Sequence, residues 1–412
     1  MPRPLPRSRL SPALAFIFVT AVLDIMAMGI IIPVLPALIE EFTGSNAQAG
    51  IYNGLFVALW AGMQFIFSPI IGSISDHHGR RPVILISAAG LAADFAFMAL
   101  APNLWLLAVG RMIGGITSSS FTTVFAYMAD ITPPEQRARA YGLIGAAFSA
   151  GFVAGPLIGG VLGEYGPRVP FWAAAAMSGV AFLYGWLVLP ESLAPENRIT
   201  FSWTRANPFG ALRLLRSHTE LTGLAAVTFL LHFSHHVFSA VFVLYAGYRY
   251  GWSASEVGMV LALAGALDMV VQGLLVGPLV KRWGDRRTML FGLLGGAVGL
   301  VSLGLAGNGL AFTLAILPNA LWGFAMPTLQ SLMTRLVSES EQGQLQGANM
   351  SVASIAGIVS PLFFGFVYAA SIDPAAPLPH PGTAFLVAAA ILLTGAIIGY
   401  VAGERAESKK AR

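Results

Sequence analysis

Long apolar runs separated by short polar breaks set the pattern of this chain. They fall near residues 12–39, 50–72, 82–101, 104–128, 139–163 and 169–190, then 221–246, 256–279, 287–307, 311–334, 344–370 and 382–403, about twelve in all. Each is long enough for a helix to cross a hydrocarbon core of ~30 Å at about 1.5 Å per residue. The runs are continuous, whereas the strands of a membrane barrel alternate, so the pattern predicts helices. Arg3, Arg7 and Arg9 precede the first run in the manner of a signal peptide. That run continues to Leu38 without a small-residue cleavage site and contains Asp24, so it is expected to remain as the first span.

Composition agrees. Of 412 residues, 56% are hydrophobic and 10% charged, against roughly 25% charged in a soluble domain, and the mean hydropathy is +0.73. A cytosolic enzyme and a nucleic-acid binder are excluded. The net charge of +4 therefore speaks first of topology. Arg80, Arg81, Arg137, Arg139, the group from Arg198 to Arg216, Lys281, Arg282, Arg286, Arg287 and the tail from Arg405 to Arg412 share one side with the N-terminal arginines, while the other side keeps Arg168 and Arg249. The excess predicts cytoplasmic termini and an even number of spans. With no cysteine, there is no disulfide framework, thiolate nucleophile or Cys-ligated zinc.

The two halves repeat. Gly50 and Gln64 recur as Gly258 and Gln272, and GSISDHHGRRPVIL from Gly72 recurs as GPLVKRWGDRRTML from Gly277. Glu135 and Gln136 return as Glu341 and Gln342, and Pro156 as Pro361. Two homologous six-helix bundles follow, residues 1–190 and 221–412, joined by a polar cytoplasmic linker, 191–220, with a basic amphipathic piece from Phe209 to Arg216. Substrate is expected between them, near the midplane.

An ionisable group inside a spanning helix costs about 2.5 to 3.5 kcal/mol on insertion scales and by default marks function. Asp24 lies in the first span, Asp94 in the third and Asp268 in the eighth, while Arg111 opens the fourth. Carboxyl groups there can load and unload a proton as access changes, the requirement for proton coupling; the alternative is a neutral carboxylic acid bonded between helices. His232, His235 and His236 share one face of the seventh span, as packed or pore-lining groups, a proton relay or part of a metal site. Gln64 and Gln272 are uncharged donors and acceptors suited to lining a cavity. In the fifth span Gly151, Gly155 and Gly159 fall four apart beside Pro156, a pattern for close helix approach and a hinge or gate seam.

These residues together resemble the major facilitator superfamily over nearly the whole chain. Gly72, Asp76, Gly79, Arg80 and Arg81 resemble its signature between helices 2 and 3. The resemblance implies a charged latch in which Asp76 and the arginines join Asp130, extended by Glu135 and Arg139. Gly151, Gly155, Pro156, Gly159 and Gly160 match the motif associated with antiporters, which implies efflux. Arg111 with Gly115 resembles the helix 4 motif linked to proton transfer. LDIMAMGIIIPVLP, the stretch from Gln64 to Arg81, Asp94, GRMIGGIT and EQGQLQG look like the tetracycline-resistance exporters. That likeness gives Asp24 and Asp94 a part in proton or cation handling and Gln64 a place in the cavity. Helix 9 reads FGLLGGAVGL without the acid typical of those exporters, and Asp268 stands where they commonly have histidine, which implies a rearranged second half.

The expectation is an all-α membrane protein of the major facilitator fold, a secondary transporter rather than an enzyme. It exports an amphipathic, tetracycline-type or related compound against protons, by alternating access. Asp24, Asp94, Asp268 and Arg111 handle protons; Gln64, Gln272 and the three histidines contact substrate. A monomer in a bacterial inner membrane is expected, with no metal site or cofactor of its own and a substrate able to carry a divalent cation. The rivals are a proton-coupled nutrient symporter or facilitator, and a membrane metal enzyme using the histidines.

Overall fold

The structure is a computed structural model, described here for residues 12–133, 137–201, 203, 207, 214–215, 219–338, 341–375 and 379–410. Glu135, the side chain of Arg139, the N-terminal arginines and most of the piece from Phe209 to Arg216 lie outside the described residues.

The first bundle has six spans. Helix α1 runs Pro12–Ile31 and, beyond a turn containing Pro33, Leu35–Thr43. Proline lacks the N–H that would continue the ladder, which accounts for the break. Then follow α2 (Asn46–His78), α3 (Arg80–Leu100), α4 (Leu104–Thr117 and Phe121–Ile131), α5 (Arg137–Gly163) and α6 (Val169–Val188). Ser118–Ser120 forms a 3-10 turn inside α4, where three hydroxyls in a row compete for backbone partners.

The second bundle repeats this order. Helix α7 comprises Thr219–His235 and Val237–Tyr250, and α8 starts at Ala254–Val270. A π turn, Val271–Leu275, leads α8 into Val276–Leu305, where Gly284 (φ 79°, ψ 167°) ends it; α9 is 285–305. Helix α10 (Gly309–Ala320 and Ala325–Thr334) is interrupted by a 3-10 turn, Leu321–Phe324, as α4 is. Helices α11 (Gln342–Ser371) and α12 (Thr383–Lys410) complete the bundle. Gly79, between α2 and α3, also has positive φ (108°), so the repeated loops share a backbone turn that disfavours any residue with a Cβ.

Among the described residues ten stretches are long and apolar enough to cross a membrane. One, Ala254–Leu305, holds two spans because of Gly284, and residues 104–131, broken by the serine turn, supply the last. The outer helices show apolar side chains outward: Ile86 on α3, Leu187 on α6, Val298 on α9 and Ile397 on α12 are all exposed. In water such a surface would aggregate; in lipid it is solvated.

The bundles meet where α2 packs on α11 and α5 on α8, with α7 against α2. Glycines make the approach possible. A Cβ on Gly54 would collide with the Pro361 carbonyl, one on Gly365 would come 2.5 Å from the Gly50 carbonyl oxygen, and one on Gly160 2.5 Å from that of Ala254. Tyr368 OH donates to Asn46 Oδ1 (2.6 Å) and Ser255 N–H to Glu164 Oε1 (3.1 Å). All these contacts lie in the half of the molecule remote from the chain termini. Toward the termini the same helices part: an added Cβ on Gly145 of α5, Gly273 or Gly277 of α8, or Gly343 of α11 would meet nothing within 4 Å. Among the described residues the bundles are thus closed on each other at the far face and make no such contact at these glycines toward the termini face.

Candidate functional site: two polar walls beneath a closed seam

The first wall is built by α2, α3 and α4. Asp94 is 2% exposed, and neither carboxyl oxygen has a hydrogen-bond partner. Its place is made by two glycines of α4, since a Cβ on Gly110 or Gly114 would come within 3.2 or 2.7 Å of those oxygens. Arg111 lies between the glycines, in electrostatic reach of Asp94 but not hydrogen-bonded to it. The Arg111 guanidinium carbon stands 5.6 Å from the Trp60 ring centroid, within range of a cation–π attraction. One turn along α2, Gln64 Nε2 donates to Ser118 Oγ (3.4 Å), and Ser119 donates back to the Gln64 carbonyl (3.5 Å). The α4 break thus grips the α2 segment that carries Trp60 and Gln64. Asp24, on α1, shares no hydrogen bond with this group, and its buried Oδ1 is unpartnered. Buried polar atoms normally find partners, so the unpartnered Asp94 oxygens and Arg111 Nε beside them mark unused capacity to bind.

The second wall is built by α7, α8 and α10. His235 is exposed and meets Trp322 edge-on, ring centroids 5.5 Å apart. Asp268 lies in electrostatic reach of His235, and its Oδ2 accepts from Gln272 Nε2 at 2.7 Å. Gln272 occupies the π turn, a distortion frequent at functional sites. A Cβ on Gly323, in the α10 break, would come 2.7 Å from Asp268 Oδ1. His232 Nε2 is buried without a partner, while His236 stands at the break in α7 with Nδ1 3.4 Å from Ser239 Oγ. Among the described residues no three His, Cys, Asp or Glu side chains come together as a metal-holding group.

At the termini face Arg80 organises the loop between α2 and α3. It pairs with Asp76 and with Asp130 Oδ2 (3.3 Å) and donates to Ser75 Oγ (2.8 Å). Glu191, just beyond α6, accepts from the backbone N–H groups of Arg80 (2.9 Å) and Arg81 (3.3 Å). A carboxylate there serves the orphan donors of a helix N-terminus. Glu191 therefore belongs to this cage, although the sequence assigns it to the linker.

The glycines of α5 divide between two faces. A Cβ on Gly151 would press on Ile25 of α1, one on Gly155 on Gly29, and one on Gly159 on Ile30, all within the first bundle. Gly160 turns the other way, toward Ala254 of α8, and Pro156 serves both faces, its ring against Gly29 of α1 and its carbonyl against Gly258 of α8. Gln64 and Gln272 repeat in sequence but differ in partner, serine against carboxylate.

Sequence reasoning missed Asn53, whose amide donates across the seam to α7 (2.7 Å to the Ala240 carbonyl), and the pair of Asp285 with Arg335 (2.5 Å). The offset that carries Arg80 onto Asp285 also carries Asp130 onto Arg335, so the repeat held that signal. No sequence pattern marks Asn53.

A model of the Major Facilitator Superfamily matches residues 17–361 and 224–412. The chain belongs to the major facilitator superfamily. Within it, the chain is 38% identical to the class C tetracycline resistance protein of Escherichia coli, over 92% of this chain and 94% of that protein. It is 39% identical to the class G protein of Vibrio anguillarum, over 85% and 88% of the two chains. The fold resembles that of a bacterial homologue of the human lysosomal transporter Spinster, solved inward-facing and unoccupied, with a TM-score of 0.79, 18% identity and coverage of 97% and 98%. As a member of the superfamily the chain is a transporter, not an enzyme.

Proposed function

We propose that this transporter exports amphipathic, tetracycline-type compounds in exchange for protons. The relatives named for tetracycline resistance support the substrate class. The observation that carries the coupling is Asp94, a carboxyl group sealed from solvent with neither oxygen hydrogen-bonded, set beside Arg111 on the wall of the opening. A proton on Asp94 and a substrate near Arg111 then compete for one electrostatic environment, which is what exchange requires. Asp24 assists the proton path. Asp268, with His235 and Gln272, takes the corresponding place in the second wall, where the FGLLGGAVGL stretch of α9 has no acid. His232, His236 and Gln64 contact the substrate.

The two bundles, 1–190 and 221–412, rock about this site with 191–220 as their tether. Pro156 and Gly160 serve the far seam; Asp76, Gly79, Arg80, Arg81 and Asp130, with Glu135 and Arg139, form a latch that ties α2, α3 and α4 of the first bundle together at the termini face. The basic loops put the termini in the cytoplasm of a bacterial inner membrane, so the closed far face is external. Inward movement of one positive charge contributes ~2.3 kcal/mol per 100 mV, and a monomer suffices. The substrate travels with a divalent cation as its own chelate, without a resident cofactor.

Inverted membrane vesicles test this. When respiration acidifies their interior they should accumulate tetracycline with magnesium, and a protonophore should release it. Drug movement unchanged by the protonophore would refute the coupling.

A further inference from the structure

Asn53 of α2 is 2% exposed and lies on the seam between the bundles. Its Nδ2 donates 3.1 Å to the Ser239 carbonyl and 2.7 Å to the Ala240 carbonyl, both on α7. The next residue, Gly54, packs against the Pro361 backbone of α11, so the amide is held at a close approach of the two bundles. A carbonyl oxygen has two lone pairs, and those of Ser239 and Ala240 can take these bonds while serving the α7 ladder. The bonds can then be made and broken without unravelling a helix. The pinned carbonyls lie one turn beyond the break at His236, whose carbonyl accepts from Ser239 OH (3.0 Å).

We propose that Asn53 is the pin of the far seam, a positioning residue that holds the external face shut by bonding α2 to α7 and lets go, into water, when that face opens. An uncharged amide suits the task. Its bonds are directional, so they fix the register of α2 against α7, and together they bias closed over open by on the order of tenfold. A buried ion pair would exact a desolvation penalty each time the seam closed, and an apolar contact would hold no register. The proposal rests on the alternating-access reading for the meaning of opening.

The chain contains no cysteine, so labels can be introduced singly. Spin labels on Gln48→Cys and Tyr248→Cys, exposed positions near the far ends of α2 and α7, would report the seam in the full protein in lipid nanodiscs. The parent should show mainly the short distance. Asn53→Ala should raise the long-distance fraction about tenfold. Asn53→Asp keeps the shape but makes the pin titratable. At acid pH the introduced carboxyl carries a proton to donate and the seam should stay shut; at alkaline pH a carboxylate faces two carbonyl oxygens and the seam should open. A side chain that merely fills space gives no such pH response. Parent-like distances at every pH in both variants would overturn the proposal. Since the labels read the seam without transport, that failure would leave the export reading standing.

Discussion

Arg335 stands 2.5 Å from Asp285 and repeats, with the charges exchanged, the contact of Arg80 with Asp130 in the other bundle. In one bundle the cation sits at the start of the third span and the anion at the end of the fourth; in the other the signs are reversed. The pairs join equivalent helices, α3 with α4 and α9 with α10, so the position accommodates an ion pair of either polarity. The Asp285 side chain is 6% exposed and that of Arg335 50%. Asp285→Asn should therefore cost about 1 to 2 kcal/mol of stability, less than a fully buried pair. The exchange Asp285→Arg with Arg335→Asp should recover most of that loss in thermal unfolding.

Two glycine substitutions separate the closed from the open face. Gly54→Ala places a Cβ against the Pro361 carbonyl, backbone that has no room to yield. Transport should fall by at least about tenfold, as expected for a perturbed close-packed seam. Gly145→Ala meets nothing within 4 Å and improves helix propensity, so its transport should match the parent. Equal loss in both variants would mean that the seam is not what closes.

Glu191 should matter through the backbone it caps. Besides Arg80 and Arg81 it accepts from the N–H groups of Ser192 and Leu193, each at 3.0 Å. Glu191→Ala should lower stability by about 1 kcal/mol, and Glu191→Gln by less, because an amide oxygen still accepts. Thermal unfolding of the two variants at low and high salt would separate the capping part from the charge.

Much of this was legible beforehand, for physical reasons. Spanning helices advertise themselves as long apolar runs, and Asp94, Asp268 and Arg111 stood out because charge inside a span is costly. The repeat supplied two bundles and, through Gly79 and Gly284, two matching turns. Partnership was less visible. That Gln272 bonds Asp268 follows from their i,i+4 spacing, but that Asp268 also faces His235 of α7 and the Gly323 break of α10 shows only once the helices are packed, and that the α5 glycines split between α1 and α8 depends on how the helix is rotated. Asn53 was silent because an asparagine in a glycine-rich helix looks like any other polar residue until α7 is brought against it.

Gly114 sets the space for the coupling carboxyl. Gly114→Ala would bring a methyl within 2.7 Å of Asp94 Oδ2, the end of a flexible side chain, which can shift. The fold should survive, while the proton-driven rate falls between about ten- and a hundredfold, as displacements of a reacting group by an ångström commonly do. Rate and melting temperature measured on one preparation would show whether the two part company.

The central claim is that a buried acid links proton and drug. In proteoliposomes with an imposed proton gradient, Asp94→Asn keeps the shape of the side chain and removes its titration. Drug should still bind, while uphill exchange should fall to the level of protein-free vesicles. Gradient-driven transport at the parent rate in that variant would contradict the account.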